Sequence, residues 1–162
     1  MKKLILTLST LLVTISSYSQ HQTISVNGIE LDKKYTQSQI YNILGTPKSI
    51  KPDESEPWFS WYYYNNSSFA FGNEDWDLLA FIIKDTTYKV NNYLTVGMHS
   101  DSIKAMKGYL IEDIDDDTIY MYWAPSKEYR DNVGYIKIII NKQTKIIGMI
   151  SLVTQEMFWY YM

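Results

Sequence analysis

The sequence predicts an α+β fold in which two tandem helix-plus-antiparallel-sheet repeats form one curved sheet with short helices on one face. A short helix with a defined end is predicted at residues 35–47, and a degenerate copy of it returns 63 residues later, at 98–110. Runs rich in aromatic and β-branched residues follow each copy. Helices of two to three turns are unstable alone in water and need a sheet to lie on. A helix followed by strands, twice over, predicts helices on one face of an antiparallel sheet.

The first helix has a sequence signal at each end. Thr36 and Gln39 stand at the capping-box spacing, in which each side chain bonds the backbone of the other. An apolar stripe follows at i, i+3 and i+4, and a glycine and a proline then end the helix. The stripe and the stop are Ile40, Ile43, Leu44, Gly45 and Pro47. In the second copy the cap, the stripe and the stop are Ser100, Ile103, Met106 and Gly108.

Strands are predicted from β-branched and aromatic runs bounded by turn residues. An opening strand or hairpin at 22–31 turns at the Asn27-Gly28 pair. The further predicted strands are 58–64, 68–71, 78–84, 118–123, 135–140 and 145–154. Three polar segments are predicted as loops, at 48–57, 112–117 and 125–132. The aromatic end of the chain, 157–162, is too apolar to stay in solvent, so we expect it to dock.

The first 19 residues have the features of a secretory signal peptide. Lys2 and Lys3 form a positive start, an apolar run of 12 residues follows at 4–15, and small residues precede a predicted cut before Gln20. Twelve apolar residues are too few to span a bilayer core, which needs about 20. The mature protein is therefore expected to be exported, to the periplasm or beyond, without a membrane span. Residues 20–162 form one predicted domain with repeats at about 22–90 and 91–162.

Composition limits the classes of partner. After loss of the predicted signal, 13 basic residues face 18 acidic ones, a formal charge of −5. That sign argues against nucleic acid as a partner, because phosphate contacts require a basic surface. The chain has no cysteine, which excludes a lipid anchor on cysteine and disulfides. The short signal and the lack of cysteines favour a bacterial source.

The helix motif resembles that of a known family. The residues concerned are Ile40, Ile43, Leu44, Gly45 and Pro47 in the first unit and 96–98, Ile103, Met106 and Gly108 in the second. They are similar to the repeat of the β-lactamase inhibitor protein and to the single-unit small lipoprotein of the outer-membrane β-barrel assembly machine. The resemblance implies two helix-plus-sheet units that share one long curved sheet, whose open face grips a protein partner.

Alternation in two matched strands predicts which side chains face outwards. In 58–64 the even-numbered residues share one face, and Phe59, Trp61 and Tyr63 share the other. In 118–123 the residues Ile119, Met121 and Trp123 look like core, which leaves Tyr120 and Tyr122 for the open face. The predicted partner-binding residues are Phe59, Trp61, Tyr63, Tyr120 and Tyr122. The alternative is that these aromatics form cross-strand pairs that only stabilise the sheet.

No residue set predicts catalysis, a metal site or a cofactor. Asp113, Asp115 and Asp117 have the alternating spacing of a calcium loop, but Thr118 and Ala124 occupy the positions that need glycine and a bidentate glutamate. The sequence holds only two histidines and none of the common hydrolase motifs.

The leading hypothesis is therefore a non-enzymatic exported domain that binds a protein through its open aromatic face. One alternative is an envelope structural or assembly factor that docks by its helices or its C-terminal tail. A second is a glycan or cell-wall hydrolase with a carboxylate pair.

Overall fold

The computed structural model describes residues 23–31 and 33–154. The predicted signal peptide and the aromatic tail at 157–162 lie outside these residues. A two-stranded hairpin of β1 and β2 precedes an eight-stranded antiparallel sheet, and three short helices complete the fold. The strands are β1 (Ser25–Val26), β2 (Ile29–Glu30), β3 (Ser49–Pro52), β4 (Phe59–Tyr63), β5 (Ser68–Gly72), β6 (Leu78–Ile83), β7 (Tyr109–Ile114), β8 (Thr118–Ala124), β9 (Gly134–Asn141) and β10 (Ile147–Thr154). The helices are α1 (Gln37–Leu44), α2 (Asp101–Lys104) and α3 (Lys127–Asn132).

The large sheet consists of two four-stranded meanders that meet at its centre. Its strand order is β3-β4-β5-β6-β10-β9-β8-β7, so the last strand of each meander pairs with the last strand of the other. At this seam Ile83 opposes Ile150 and Ile82 opposes Ser151. The predicted α+β class is confirmed. Among the described residues no helix has the length and apolar character to cross a membrane.

The main core covers one face of the sheet. Strands β8 and β9 alternate buried and partly exposed residues, with Ile136, Ile138 and Ile140 fully buried on β9. The same face holds Phe69 and Phe81 from the first meander, both fully buried. The helices contribute Ile40 and Leu44 from α1 and Ile103 from α2. The helices therefore contribute to the core on this face.

Helix α1 begins as its sequence predicts. The Thr36 N–H donates to Gln39 Oε1 over 2.8 Å, and the Gln39 N–H donates to Thr36 Oγ1 over 3.3 Å, so both halves of the capping box form. Gly45 ends the helix with a φ of 88°. The predicted stripe needs one correction, because Ile43 is 38% exposed while Ile40 and Leu44 are buried.

Helix α2 is shorter than predicted, with only four residues. Ser100 has helical dihedral angles and its side chain makes no capping bond. The N–H groups of Ser102 and Ile103 each donate to the carbonyl three residues earlier, which is the tighter 3₁₀ pattern. Without a side-chain cap, this segment completes about one turn.

Three predicted loops contain regular structure. The segment 48–57 includes β3, the acidic segment 112–117 begins inside β7, and 125–132 includes α3. Strands β3 and β7 are the two edges of the sheet, so each pairs with a neighbouring strand on one side only. Helix α3 begins at Ser126, whose hydroxyl oxygen accepts from the Tyr129 N–H over 3.0 Å.

An aromatic cluster fills the core beneath the first meander. Tyr64, Phe69 and Tyr88 pack edge to face, with ring centres 4.9 to 5.9 Å apart. Burial, and next the negative charge of Asp85, raise the pKa of the Tyr88 phenol to about 12. Burial also raises the pKa of Tyr64, whose buried hydroxyl has no hydrogen-bond partner among the described residues. These tyrosines therefore stay neutral well above the pH at which a free tyrosine ionises.

Candidate partner-binding face of the sheet

The face opposite the main core carries a row of side chains that crosses the seam. Registers between neighbouring strands place these residues side by side: Tyr63, Ser68, Ile82, Ser151, Lys137, Tyr122 and Ile111. Each except Ile111 alternates along its strand with residues of the main core. Tyr63 and Tyr122 lie five strand spacings apart, roughly 24 Å at about 4.8 Å per spacing. One row therefore joins the two matched strands across both meanders.

Four of the five predicted binding residues are accessible on this face. Tyr63 is 37% exposed, and Trp61, Tyr120 and Tyr122 are half-buried. Together with Tyr135 they define what we call the aromatic face. Sequence reasoning missed Tyr135, although it alternates with the buried Ile136 and Ile138 and so has the signal that identified Tyr122.

Phe59 is the exception, because it is only 5% exposed and so is not available to a partner. It packs with Ala70 and Ala80 in a small second cluster, against which Trp61 lies. The Trp58 ring packs edge to face on the Phe59 ring, with ring centres 5.0 Å apart. Phe59 therefore packs against Trp61 as a buried neighbour and is not part of the accessible aromatic face.

Trp61 is held by the loop that precedes its strand. Its indole Nε1–H donates to Asp53 Oδ2 over 3.1 Å. The other carboxylate oxygen of Asp53 accepts from the N–H groups of Ser55 and Glu56. One carboxylate thus orders the loop and fixes the orientation of the indole.

A lysine lies between the tyrosines at the other end. The Lys137 ammonium is 4.8 Å from the ring centre of Tyr120 and 6.0 Å from that of Tyr122, within cation–π range. Tyr122 also packs edge to face on Tyr135, at 5.6 Å. Burial, followed by the negative charge of Asp113, raises the pKa of the Tyr122 phenol. The contacts among these side chains hold the tyrosine rings in a defined arrangement.

Small and larger side chains lie together between the two aromatic ends. The small ones are Ser68 and Ala70 on β5, Ala80 on β6 and Ser151 on β10. The same face of the central strands also carries larger, half-buried side chains: Leu79, Ile82, Ile139, Met149 and Val153. The two aromatic ends are therefore separated by a largely apolar surface.

The aspartates considered for calcium lie at the turn between β7 and β8. Asp113 is on β7, and Asp115 and Asp117 are in the turn to β8. In residues 23–31 and 33–154 no three His, Cys, Asp or Glu side chains are grouped so as to hold a metal ion. An open pocket of about 460 Å³ lies at the turns beside the first meander, lined by Trp58 and by the carboxylates of Glu74, Asp75 and Asp77. Asp75 there forms an ion pair with Lys34, whose Nζ lies 2.5 Å from Asp75 Oδ2.

No family model and no curated protein matches this chain. Among solved structures, an extracellular protein containing an SCP domain from Bacillus anthracis str. Ames matches with 11% identity and a TM-score of 0.49, over 82% of this chain and 48% of that one. A cysteine-rich secretory protein from Staphylococcus aureus subsp. aureus Mu50 matches with 16% identity and a TM-score of 0.45, over 78% and 46%. The chain thus spans about half the length of these structures.

The family resemblance suggested by the helix motif is wrong. The two matching structures described above are of an SCP-domain protein and a cysteine-rich secretory protein, and they are not β-lactamase inhibitor or assembly-machine proteins. The motif that suggested it comprises about a dozen residues of a capped helix followed by glycine. Because capping and glycine stops serve any short helix that lies on a sheet, this motif does not identify a family.

Proposed function

We propose that the chain is an exported, non-enzymatic domain that binds a protein partner through the aromatic face. The observation that carries the proposal is the set of accessible aromatic side chains at both ends of the sheet face away from the main core, with a largely apolar surface between them. Tyr and Trp supply large contact area with a polar tip and are enriched among residues that dominate binding energy. Export rests on the sequence of residues 1–19.

The physical state of the aromatic face supports binding over a purely structural role. A sheet stabilised by aromatic pairs alone would gain most from burying them. Here Tyr63 keeps 37% of its surface exposed. The Trp61 indole is oriented by the hydrogen bond that its Nε1–H donates to Asp53. Ordering these rings before a partner arrives reduces the entropy lost on binding.

We also propose that the two halves descend from a duplicated unit. Helices α1 and α2 each precede a four-stranded meander. Ile40 and Ile103, which lie 63 positions apart, are both fully buried, and Gly45 and Gly108 both have positive φ. A duplicated unit accounts for the repetition of these positions in two halves whose helices differ in length.

The binding proposal is tested by affinity capture from envelope extract and culture fluid with the mature protein as bait. A Trp61→Ala, Tyr122→Ala double variant should lose the captured partner, and a titration with that purified partner should give a Kd at least about tenfold weaker, since such residues contribute over 1 kcal/mol each. Tyr93→Ala, which removes a 46% exposed aromatic outside the face, is the matched control. Equal affinity of the double variant and the control would reject the aromatic face as the contact.

A glycan or cell-wall hydrolase is the second candidate, favoured by the pocket at Trp58. Glycoside hydrolysis uses a pair of carboxyl groups beside the sugar, and three carboxylate residues line this pocket together with an aromatic ring. Release of reducing ends from a cell-wall preparation, abolished by Glu74→Gln, would support it. Unchanged release in that variant would exclude the role of Glu74.

A further inference from the structure

Strand β7 is an edge of the sheet whose outer backbone groups have no hydrogen-bond partner among the described residues. Where β7 turns into β8, Asp115 and Thr118 exchange both of their backbone hydrogen bonds, at 2.9 and 3.4 Å. Antiparallel pairs alternate between hydrogen-bonded and non-bonded residues, and the register runs without a break from Ile114↔Ile119 to Tyr109↔Ala124. The residues of β7 that bond β8 are therefore Tyr109, Ile111 and Asp113. Leu110, Glu112 and Ile114 direct their N–H and C=O groups outwards.

The same three residues also present exposed side chains. Leu110 is 36% exposed, Ile114 is 57% exposed and Glu112 lies exposed between them. Their register partners on β8 are the core residues Trp123, Met121 and Ile119. An added strand would therefore meet unpaired backbone groups and two apolar side chains, on the margin of the main core.

The opposite edge of the sheet is protected. Strand β3 has only four residues and ends in Pro52, which has no N–H to offer. Short length, proline and lysine are the usual means of preventing strand addition at an edge, and β3 also carries Lys51. Strand β7 has six residues, no proline and no bulge. The two edges thus differ, and β7 is the one open to a further strand.

Charge determines what can occupy this edge. Glu112 and Asp113 lie within β7, and three aspartates, at 115–117, form the turn that follows. A second copy paired through its own β7 would bring carboxylates together across the strands, which is destabilising. A strand with lysine or arginine opposite Glu112 and Asp113 would be stabilised instead.

We propose that β7 binds an extended basic segment of a partner protein, which adds to the sheet as a ninth strand. Backbone hydrogen bonds to Leu110, Glu112 and Ile114 supply the affinity, and the two acidic side chains select the basic residues. Strand addition to an exposed edge is a common form of peptide recognition. This site is separate from the aromatic face.

The probe is a fluorescently labelled peptide, Thr-Val-Lys-Lys-Val-Val-Thr, capped at both ends and titrated into the mature protein by anisotropy. In antiparallel register its lysines oppose Asp113 and Glu112. N-methylation of the three residues opposite Ile114, Glu112 and Leu110 should weaken the Kd by at least about tenfold, since each lost bond contributes roughly fivefold. N-methylation of the lysine opposite Asp113 and of the valine opposite Ile111 should have little effect on the Kd. The N–H groups of these two peptide residues face away from β7.

Protein variants test the charge and the edge separately. Glu112→Lys should weaken the lysine peptide by roughly fivefold and strengthen a peptide with glutamates in place of its lysines. Glu54→Lys makes the same charge change at an exposed residue after β3 and should alter the affinity for neither peptide. Leu110→Pro should weaken the lysine peptide while the fold is retained, because proline removes an outward N–H and no bond to β8.

Three results would overturn the proposal. The first is equal affinity for the two N-methylated peptides, which would remove backbone pairing as the cause. The second is equal affinity for the lysine and glutamate peptides. The third is a dimer in analytical ultracentrifugation that Leu110→Pro dissociates, because a second copy would then occupy the edge. The N-methylated pair gives a result even if Leu110→Pro fails to fold. None of these results depends on Trp61 or Tyr122, so failure here does not bear on binding by the aromatic face.

Discussion

The indole of Trp61 donates its hydrogen bond to Asp53, the residue that also orders the turn before strand β4. Asp53 Oδ1 accepts from the backbone of Ser55 and Glu56, and Oδ2 accepts from Trp61. The orientation of an aromatic on the candidate binding face thus depends on one carboxylate outside that face.

We expect Asp53→Ala to lower the free energy of unfolding by about 1–2 kcal/mol, because three partly exposed hydrogen bonds lose their acceptor. Urea denaturation measures the change. Glu54→Ala, at the exposed neighbouring residue, should change stability by less than about 0.5 kcal/mol. If both variants had the same free energy of unfolding, the hydrogen bonds of Asp53 would not contribute to stability.

Burial predicts different costs for three isoleucines of the two helical segments. Ile40→Ala and Ile103→Ala should each cost about 2–5 kcal/mol, because both side chains are fully buried in the main core. Ile43→Ala, at 38% exposure, should cost less than about 1 kcal/mol. Similar costs at Ile40 and Ile103 would agree with their proposed origin in one duplicated position, and a negligible cost at Ile103 would contradict it.

Two glycines of the last hairpin test close backbone approach. Gly134 has a φ of 149°, and a β-carbon there would lie 2.3 Å from the carbonyl oxygen of Val153. Gly134→Ala should therefore cost at least about 2 kcal/mol by forcing backbone apart. At Gly148 the nearest atom would be 3.8 Å away, so Gly148→Ala should be neutral or slightly stabilising. Thermal unfolding of the two variants distinguishes them, and equal melting temperatures would reject the steric explanation.

Alkaline pH should destabilise the protein through Tyr88. Its folded pKa is raised to about 12 by burial and by Asp85, from 10.0 in the unfolded chain. A raised folded pKa gives stability that is complete below pH 10 and is lost as pH rises from 10 towards 12, because only the unfolded phenol ionises there. Tyr88→Phe should show a smaller fall in unfolding free energy over that interval, measured by urea titration. A fall as large as that of the wild type would contradict this role.

Local sequence signals predicted the parts of the fold that local contacts decide. The capping box of Thr36 and Gln39 formed because both partners lie within one turn. The alternation around Trp61 and Tyr122 gave the correct sheet faces because period two is a property of the strand itself. Edge strands β3 and β7 were missed, since a strand paired on one side can be polar and still be held by its neighbour. Phe59 was placed on the open face by alternation, but Ala70, Ala80 and Trp58 enclose it, and only the paired strands bring them together.

The seam between β6 and β10 has a mechanical consequence. Only Ile83↔Ile150 and Ile82↔Ser151 are in register there, so this junction has fewer paired residues than any other junction of the eight strands. A partner that contacts Trp61 at one end and Tyr122 at the other would span that junction and resist shear between the halves. Its binding should then protect the amides of both central strands from hydrogen exchange, although they lie far from either aromatic end.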